Sequence, residues 1–270
     1  MNKGIIVKPL NSVEEVFSTL TDVKKDQNIN RYRSPYVYRG LSNIKYKLQT
    51  SLDRNCNTHQ EELEKCILRS FTKYASILEN PHLINSEWLQ LIIGQHHGLP
   101  TRMMDWTCSS LVALHFAVSE ESLADLDDHG CAIWAVNVEE TNTLLPKKYQ
   151  DILTKEKAGM FTTDMLKGIK LSDYDEDMSN NSFIMLEPPS IDERIVNQYS
   201  YFSVIPKGIQ DFDQFLNDHT SETIKYTISK DLRWQIRDTL DTMNINERIM
   251  FPGYDGICKW LKRHYFCKKE

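Results

Sequence analysis

No stretch of this 270-residue chain approaches the roughly 18 consecutive apolar residues that a membrane helix needs, so neither a membrane span nor a membrane partner is expected. The opening residues, Met1 to Val7, run directly into polar sequence. They lack the apolar centre and cleavage site of a signal peptide, and a cytoplasmic location is expected. None of the six cysteines (Cys56, Cys66, Cys108, Cys131, Cys258 and Cys267) stands in a C-x-x-C pair. They read as free thiols, several of them buried. Excess positive charge is also missing: 38 acidic against 32 basic side chains leave a formal net charge of -6. That balance argues against general affinity for a nucleic-acid backbone. Internal repeats and low-complexity tracts are absent.

What is present suits a packed domain. Hydrophobic residues make up 40% and charged residues 26%, which predicts a folded core rather than disorder. The length fits one large domain, or one with a smaller appendage. Ser12 with Glu15 reads as a capping box for a helix over 13–25. A polar linker leads to a short strand, Tyr36-Val37-Tyr38-Arg39, which Gly40 is expected to end. Leu63, Ile67, Phe71 and Ala75 predict the apolar face of a helix over 60–75. A second helix, starting near Ser86, is stopped by Gly98 and Pro100. A loop over 99–106 and a strongly apolar helix over 108–119 follow, then an interior strand over 131–138. The interval 147–181 is charged and helical in short pieces, as an insertion or lid would be. Strands are expected at 201–205 and 223–228, and helices from 231 and 255 close the chain. The pattern predicts an α+β fold, a small twisted sheet packed by helices.

Four segments carry a family resemblance. Val37-Tyr38-Arg39-Gly40-Leu41 resembles the [FY]RG motif of the FRG family. Gln95-His96-His97-Gly98-Leu99-Pro100-Thr101-Arg102-Met103-Met104-Asp105-Trp106-Thr107 resembles its longest signature, QH-x-G-x-PTR-x-x-DWT. The apolar helix around Ser110 to Ala117 also fits. So does Arg194-Ile195-Val196-Asn197-Gln198-Tyr199-Ser200-Tyr201-Phe202, although Ser200 stands where the family commonly has Gly. The resemblance spans roughly 36–202. It implies an N-terminal helical segment over 1–35 and an FRG-type domain over 36–270. Members of this family occur in bacteria and phages, which implies a toxin or phage-defence role, with an antitoxin or defence protein as partner.

The residues leave several chemistries open. Arg39, at a strand end beside Gly40, can present its guanidinium fork to phosphate, or pair internally with an acid such as Asp105. Arg102 and Asp105 read either as a polar pocket floor or as an internal salt bridge, with Thr107 placed to cap the following helix. His96 and His97 are adjacent, so their side chains diverge and make a poor metal pair; no metal is expected. Either histidine is a candidate acid, base or ligand contact. His115 reads as a core histidine.

The layout is also similar to ADP-ribosyltransferases of the Arg–Ser–Glu type. That resemblance implies NAD as a consumed substrate and a protein or nucleic-acid acceptor. Arg39 would hold the pyrophosphate, Ser109 or Thr107 would brace the pocket, and Glu193 would steady the oxocarbenium-like transition state. Two other classes compete. One is a non-catalytic module in which Arg39, Arg102, Asp105, Trp106 and Gln198 hold a nucleotide or partner peptide, the arginines on phosphate and Trp106 stacking on a base, with Tyr38, Gly40, Gln95, His96, His97, Thr107 and Arg194 as further binding candidates. The other is a nucleic-acid-cleaving toxin with His96 or His97 as base, supported only by the basic run over 259–269, a composition more often found on a solvated helix face.

Overall fold

The β-branched and aromatic segments of the sequence become strands, and its 3.6-periodic segments become helices around them. A computed structural model describes residues 3–267, apart from 28, 57–58, 76–85, 121, 124–125, 127 and 180. In chain order the elements are β1 (Ile6–Leu10), α1 (Val13–Thr21), β2 (Lys25–Asp26), β3 (Arg31–Tyr32), β4 (Tyr36–Leu41), α2 (Ser51–Cys56), α3 (Gln60–Ala75), α4 (Glu87–His96), β5 (Met103–Thr107), α5 (Ser110–Ala117) and β6 (Cys131–Asn137). There follow α6 (Val138–Thr143), α7 (Lys147–Glu156), α8 (Leu171–Met178), β7 (Ile184–Leu186), α9 (Glu193–Asn197), β8 (Ser200–Val204), α10 (Phe212–His219), β9 (Ile224–Ile228), α11 (Arg233–Thr242), α12 (Glu247–Met250) and α13 (Tyr254–His264). The expected α+β class is observed: a curled seven-stranded sheet, ordered β1-β9-β6-β4-β5-β8-β7, packed by helices.

All neighbouring strands in that sheet are antiparallel except β1 and β9. Its centre is nearly split. Strand β4 pairs with β6 over six residues but with β5 at only one position, Tyr38 opposite Thr107. Beyond that pair the two strands diverge.

Packing follows the split. One apolar cluster lies under both halves and joins Val37, Met104, Trp106, Trp134, Met185 and Leu216. On the other face each half has its own core. Ala113, Ala117, Ile133, Tyr226 and Ile236 serve the β4 side. Leu91, Met103, Tyr149, Phe161, Tyr174 and Phe202 serve the β5 side. The interval 147–181 therefore contributes fully buried side chains (Tyr149, Phe161, Tyr174) to this last core. Similarly, β1 and α1 supply Leu10, Val16 and Leu20 to the β4-side core.

Several local expectations change. Helix α1 ends at Thr21, because Asp22 is already extended, and Lys25–Asp26 pairs with Arg31–Tyr32. Gly40 does not end β4; it sits in the ladder opposite Ile133. Its missing Cβ serves packing, since a Cβ there would overlap the Ala113 carbonyl and lie 2.5 Å from Ala117 N of α5. The segment after Pro100, expected as a loop, is strand β5 from Met103, paired with β8 over five residues. In α3 Ala75 is buried as expected and Ile67 and Phe71 are half-buried, but Leu63 is exposed and the buried positions of the first turns are Glu64 and Leu68, so the inward face is broader than the predicted stripe. Among the described residues no helix is long and apolar enough to cross a membrane.

Candidate functional site

The long motif over 95–107 is a folding device before it is anything else. Helix α4 ends in a Schellman turn: Gly98 takes φ 83°, Leu99 N bonds Gly94 O, and Gly98 N bonds Gln95 O. Leu99 closes against Gly94, where a Cβ would stand 2.8 Å from its side chain. Pro100 then turns the chain into β5. This geometry brings Gln95 over the start of β5, where it accepts from Thr101 Oγ1 (2.5 Å) and donates to Asp105 Oδ2 (2.8 Å).

Arg39 fills the fork between β4 and β5. Where the ladder stops, the Asp105 carbonyl has no strand partner, and Arg39 Nη1 donates to it at 2.5 Å. The same nitrogen lies 3.7 Å from Asp105 Oδ2. Burial depresses the Arg39 pKa, with Asp105 opposing the shift. Arg39 Nε is buried and has no hydrogen-bond partner. The Asp105 side chain is 58% exposed, so the carboxylate remains open on its outer side.

These groups line a cleft of ≈ 590 Å³ at the split. Tyr38, Arg39, Gly40, Asp105, Trp106, Thr107, Arg194, Gln198 and Ser200 contribute to its wall. Three guanidinium residues (Arg39, Arg54 and Arg194) face one carboxylate residue (Asp105), and Lys47 is already paired with Asp211, so the wall is positive although the chain is acidic. Arg194 lies over the Phe251 ring at 5.2 Å, and its Nε too is buried without a partner.

The family model of the FRG domain matches residues 34–125. The chain carries an FRG domain. No curated protein and no solved structure matches it. The match includes the RG pair of β4 and the whole of the motif over 95–107, and so both sides of the fork; Arg194 and Gln198 lie beyond it.

Other candidate residues are engaged within the fold; Trp106, Thr107, Gln198 and Ser200 among them also line the cleft. Arg102 does not line this cleft: its Nε donates to Glu64 Oε1 (2.7 Å), Nη2 pairs with Glu64, and Nη1 donates to Asp175 (2.5 Å). Although burial works against the charge, Glu64 and Asp175 hold it firmly protonated. Trp106 borders the cleft but is only 2% exposed, with its side chain in the apolar cluster under both halves and its indole donating to Ser203 Oγ, so it offers a base almost no surface for stacking. Thr107 does not cap α5; Ser109 does, by accepting from Val112 N, while Thr107 Oγ1 accepts from Ser109 N. Ser109 is thus a capping residue outside the cleft wall. Glu193 is exposed in the first turn of α9 and does not line the cleft.

His96 is paired with Asp192, and burial lowers its pKa. His97 is the exposed C-cap of α4. Neither lines the cleft. Gln198 is buried, donates to Met250 O, and ties α9 to α12. Ser200 takes its place in β8, and the left-handed residue there is its neighbour Tyr199 (φ 50°). His115 is fully buried as expected. Among the described residues no group of three or more His, Cys, Asp or Glu could hold a metal ion.

Lys47, Arg54 and Phe116 are among the lining residues that the motif segments do not nominate. Lys47 and Arg54 lie outside the motif segments, and their only signal is cationic charge downstream of Arg39. Phe116 reads from sequence as one more core residue of α5.

Proposed function

We propose that the FRG cleft binds an anionic nucleotide, with Arg39 and Arg194 on its phosphates. The observation that carries this reading is the gathering of three guanidinium residues, Arg39, Arg54 and Arg194, on one cleft wall, two of them with an Nε that no protein acceptor satisfies. A buried guanidinium donor left without an acceptor is costly, and a phosphate oxygen is the acceptor its fork fits best.

NAD is the nucleotide nominated by the resemblance to ADP-ribosyltransferases. In that resemblance the catalytic carboxylate is Glu193, which does not line the cleft. Asp105 does, beside Arg39 and oriented by Gln95. The transferase form of the reading therefore runs through Asp105. The bond from the ribose C1′ to nicotinamide breaks with its electron pair leaving on nicotinamide. The carboxylate stabilises the positive charge that develops on the ribose, and an acceptor nucleophile or water completes the substitution. Loss of cellular NAD would suit the toxin or phage-defence role implied by the family resemblance, with an antitoxin shielding the cleft. Cleavage of nucleic acid by His96 or His97 gains no support from a cleft that neither lines.

Calorimetric titration with NAD and ADP-ribose, together with chromatography of released nicotinamide, tests both parts. Arg39→Ala is expected to weaken binding about 10- to 150-fold, the equivalent of about 1.5–3 kcal/mol for charge-assisted hydrogen bonds. Asp105→Asn should retain binding and lose nicotinamide release, while Glu193→Ala should change neither. No binding of either ligand to the wild type would refute the nucleotide reading. Binding without release would leave a binding module and remove the transferase.

A further inference from the structure

The cleft does not stop at Arg194. A second hollow of ≈ 440 Å³ shares Ser42, Phe116 and Ser119 with it and continues along α13 to Lys259 and Lys262. These lysines are three residues apart on one helix and therefore neighbours on its surface, and both are exposed.

The charges of this second hollow are unevenly matched. Its carboxylates are already engaged: Glu247 by Arg237 and Arg263, and Glu120 by Arg233. Arg263 is likewise consumed by Glu247 and Asp241. Lys259 and Lys262 have no ion pair among the described residues, and Lys259 Nζ sits over the Phe251 ring at 5.0 Å. Between this cationic end and the Arg39 end lie two aromatic rings, Phe116 and Phe251, packed edge to face at 6.1 Å. Arg194 joins the hollows, lining the first and lying over Phe251 in the second. The sequence of surfaces is thus arginine cluster, aromatic pair, lysine pair.

Resting on the nucleotide reading above, we propose that the two hollows form one elongated site for a dinucleotide that carries a second, separated phosphate. Arg39 and Arg194 would hold the pyrophosphate, the base would rest against Phe116 and Phe251, and the remote phosphate would face Lys259 and Lys262. A ligand with only the pyrophosphate leaves the lysine end without an anion. The chemistry therefore predicts discrimination by one phosphate group.

NAD and NADP differ by a single 2′-phosphate, which makes them the probes. Both are titrated at low and at physiological salt into wild type, Arg39→Ala and the double variant Lys259→Ala/Lys262→Ala, with circular dichroism to check folding. NADP should bind wild type about 5- to 10-fold tighter than NAD, with the preference shrinking as salt screens it. The double variant should lose that preference and keep its NAD affinity, whereas Arg39→Ala should weaken both ligands. The proposal is overturned if wild type binds NAD as tightly as NADP, or if the preference survives loss of both lysines. If neither dinucleotide binds wild type, the nucleotide reading itself falls and takes this inference with it.

Discussion

Gly40→Ala probes the packing on which the cleft stands. The added methyl would overlap the Ala113 carbonyl oxygen and lie 2.5 Å from Ala117 N, where ordinary contact begins near 3.4 Å. Helix α5 must then withdraw from β4 by about 1 Å. Both clashing groups are backbone, so no side chain can swing aside, and Ala113, Leu114 and Ala117 are fully buried. A radial gap of about 0.5–1 Å forfeits roughly a quarter to a half of each dispersion contact across an interface. Overpacking of a core costs about 1–3 kcal/mol, and a contact between rigid backbones belongs at the upper end, about 3 kcal/mol. Urea unfolding followed by tryptophan fluorescence measures this directly. Gly159→Ala is the control: nothing lies within 4 Å of its would-be Cβ. That change should be neutral or stabilise by up to about 1 kcal/mol. If Gly40→Ala unfolds at the wild-type urea concentration, the close approach of α5 to β4 is not the reason for this glycine.

The same assay applied to Arg102→Ala should show a loss of about 3–5 kcal/mol, because Glu64 and Asp175 would be left without their cation; a loss below about 1 kcal/mol would refute the internal role of this arginine. His115 is held neutral by burial, reinforced by Arg237, with its pKa depressed to about 3. A folded pKa below the unfolded value of about 6.5 means that stability is complete above that pH and drains as pH falls towards 3. His115→Asn should therefore flatten the pH dependence of unfolding between about pH 6.5 and 4.5. Below about pH 4.5 part of the loss should remain, since Glu247 contributes there: burial is outweighed by Arg263 and Arg237 and its pKa is depressed to about 2. An unchanged slope would refute the His115 assignment. Trp106→Phe should cost about 1–2 kcal/mol through the lost bond to Ser203 and leave nucleotide affinity unchanged; a selective loss of affinity would put the ring in the binding site.

How much of this was legible in the sequence differs from residue to residue. The motif residues Arg39, Asp105 and Arg194 line one cleft, a grouping that the family resemblance nominates and local periodicity does not. Arg102, within the same motif, was ambiguous because its partner Glu64 lies 38 positions away on α3. Apolar periodicity ignores a buried acid, and for the same reason the predicted stripe of α3 omits Glu64. Strand β5 was hidden because Gly98 and Pro100 announce a loop, while the pairing that makes residues 103–107 a strand comes from β8, almost a hundred residues later. Trp106 was offered as a stacking surface since alternation along a strand cannot be applied to a segment taken for a loop. Lys47, Arg54 and the lysines of α13 reach the groove only through tertiary folding, which local spacing does not encode.

The single bridge between Tyr38 and Thr107 has a mechanical consequence. Each half of the sheet is a plate with its own backing on one side, and a shared cushion supports both on the other. The plates can tilt about the seam without breaking another ladder bond, since none crosses it. A ligand touching Arg39 on one plate and Asp105 on the other would act as the rung that the backbone omits. Occupancy would then register as slowed amide exchange along β4 and β5, even if the outline of the molecule stayed the same.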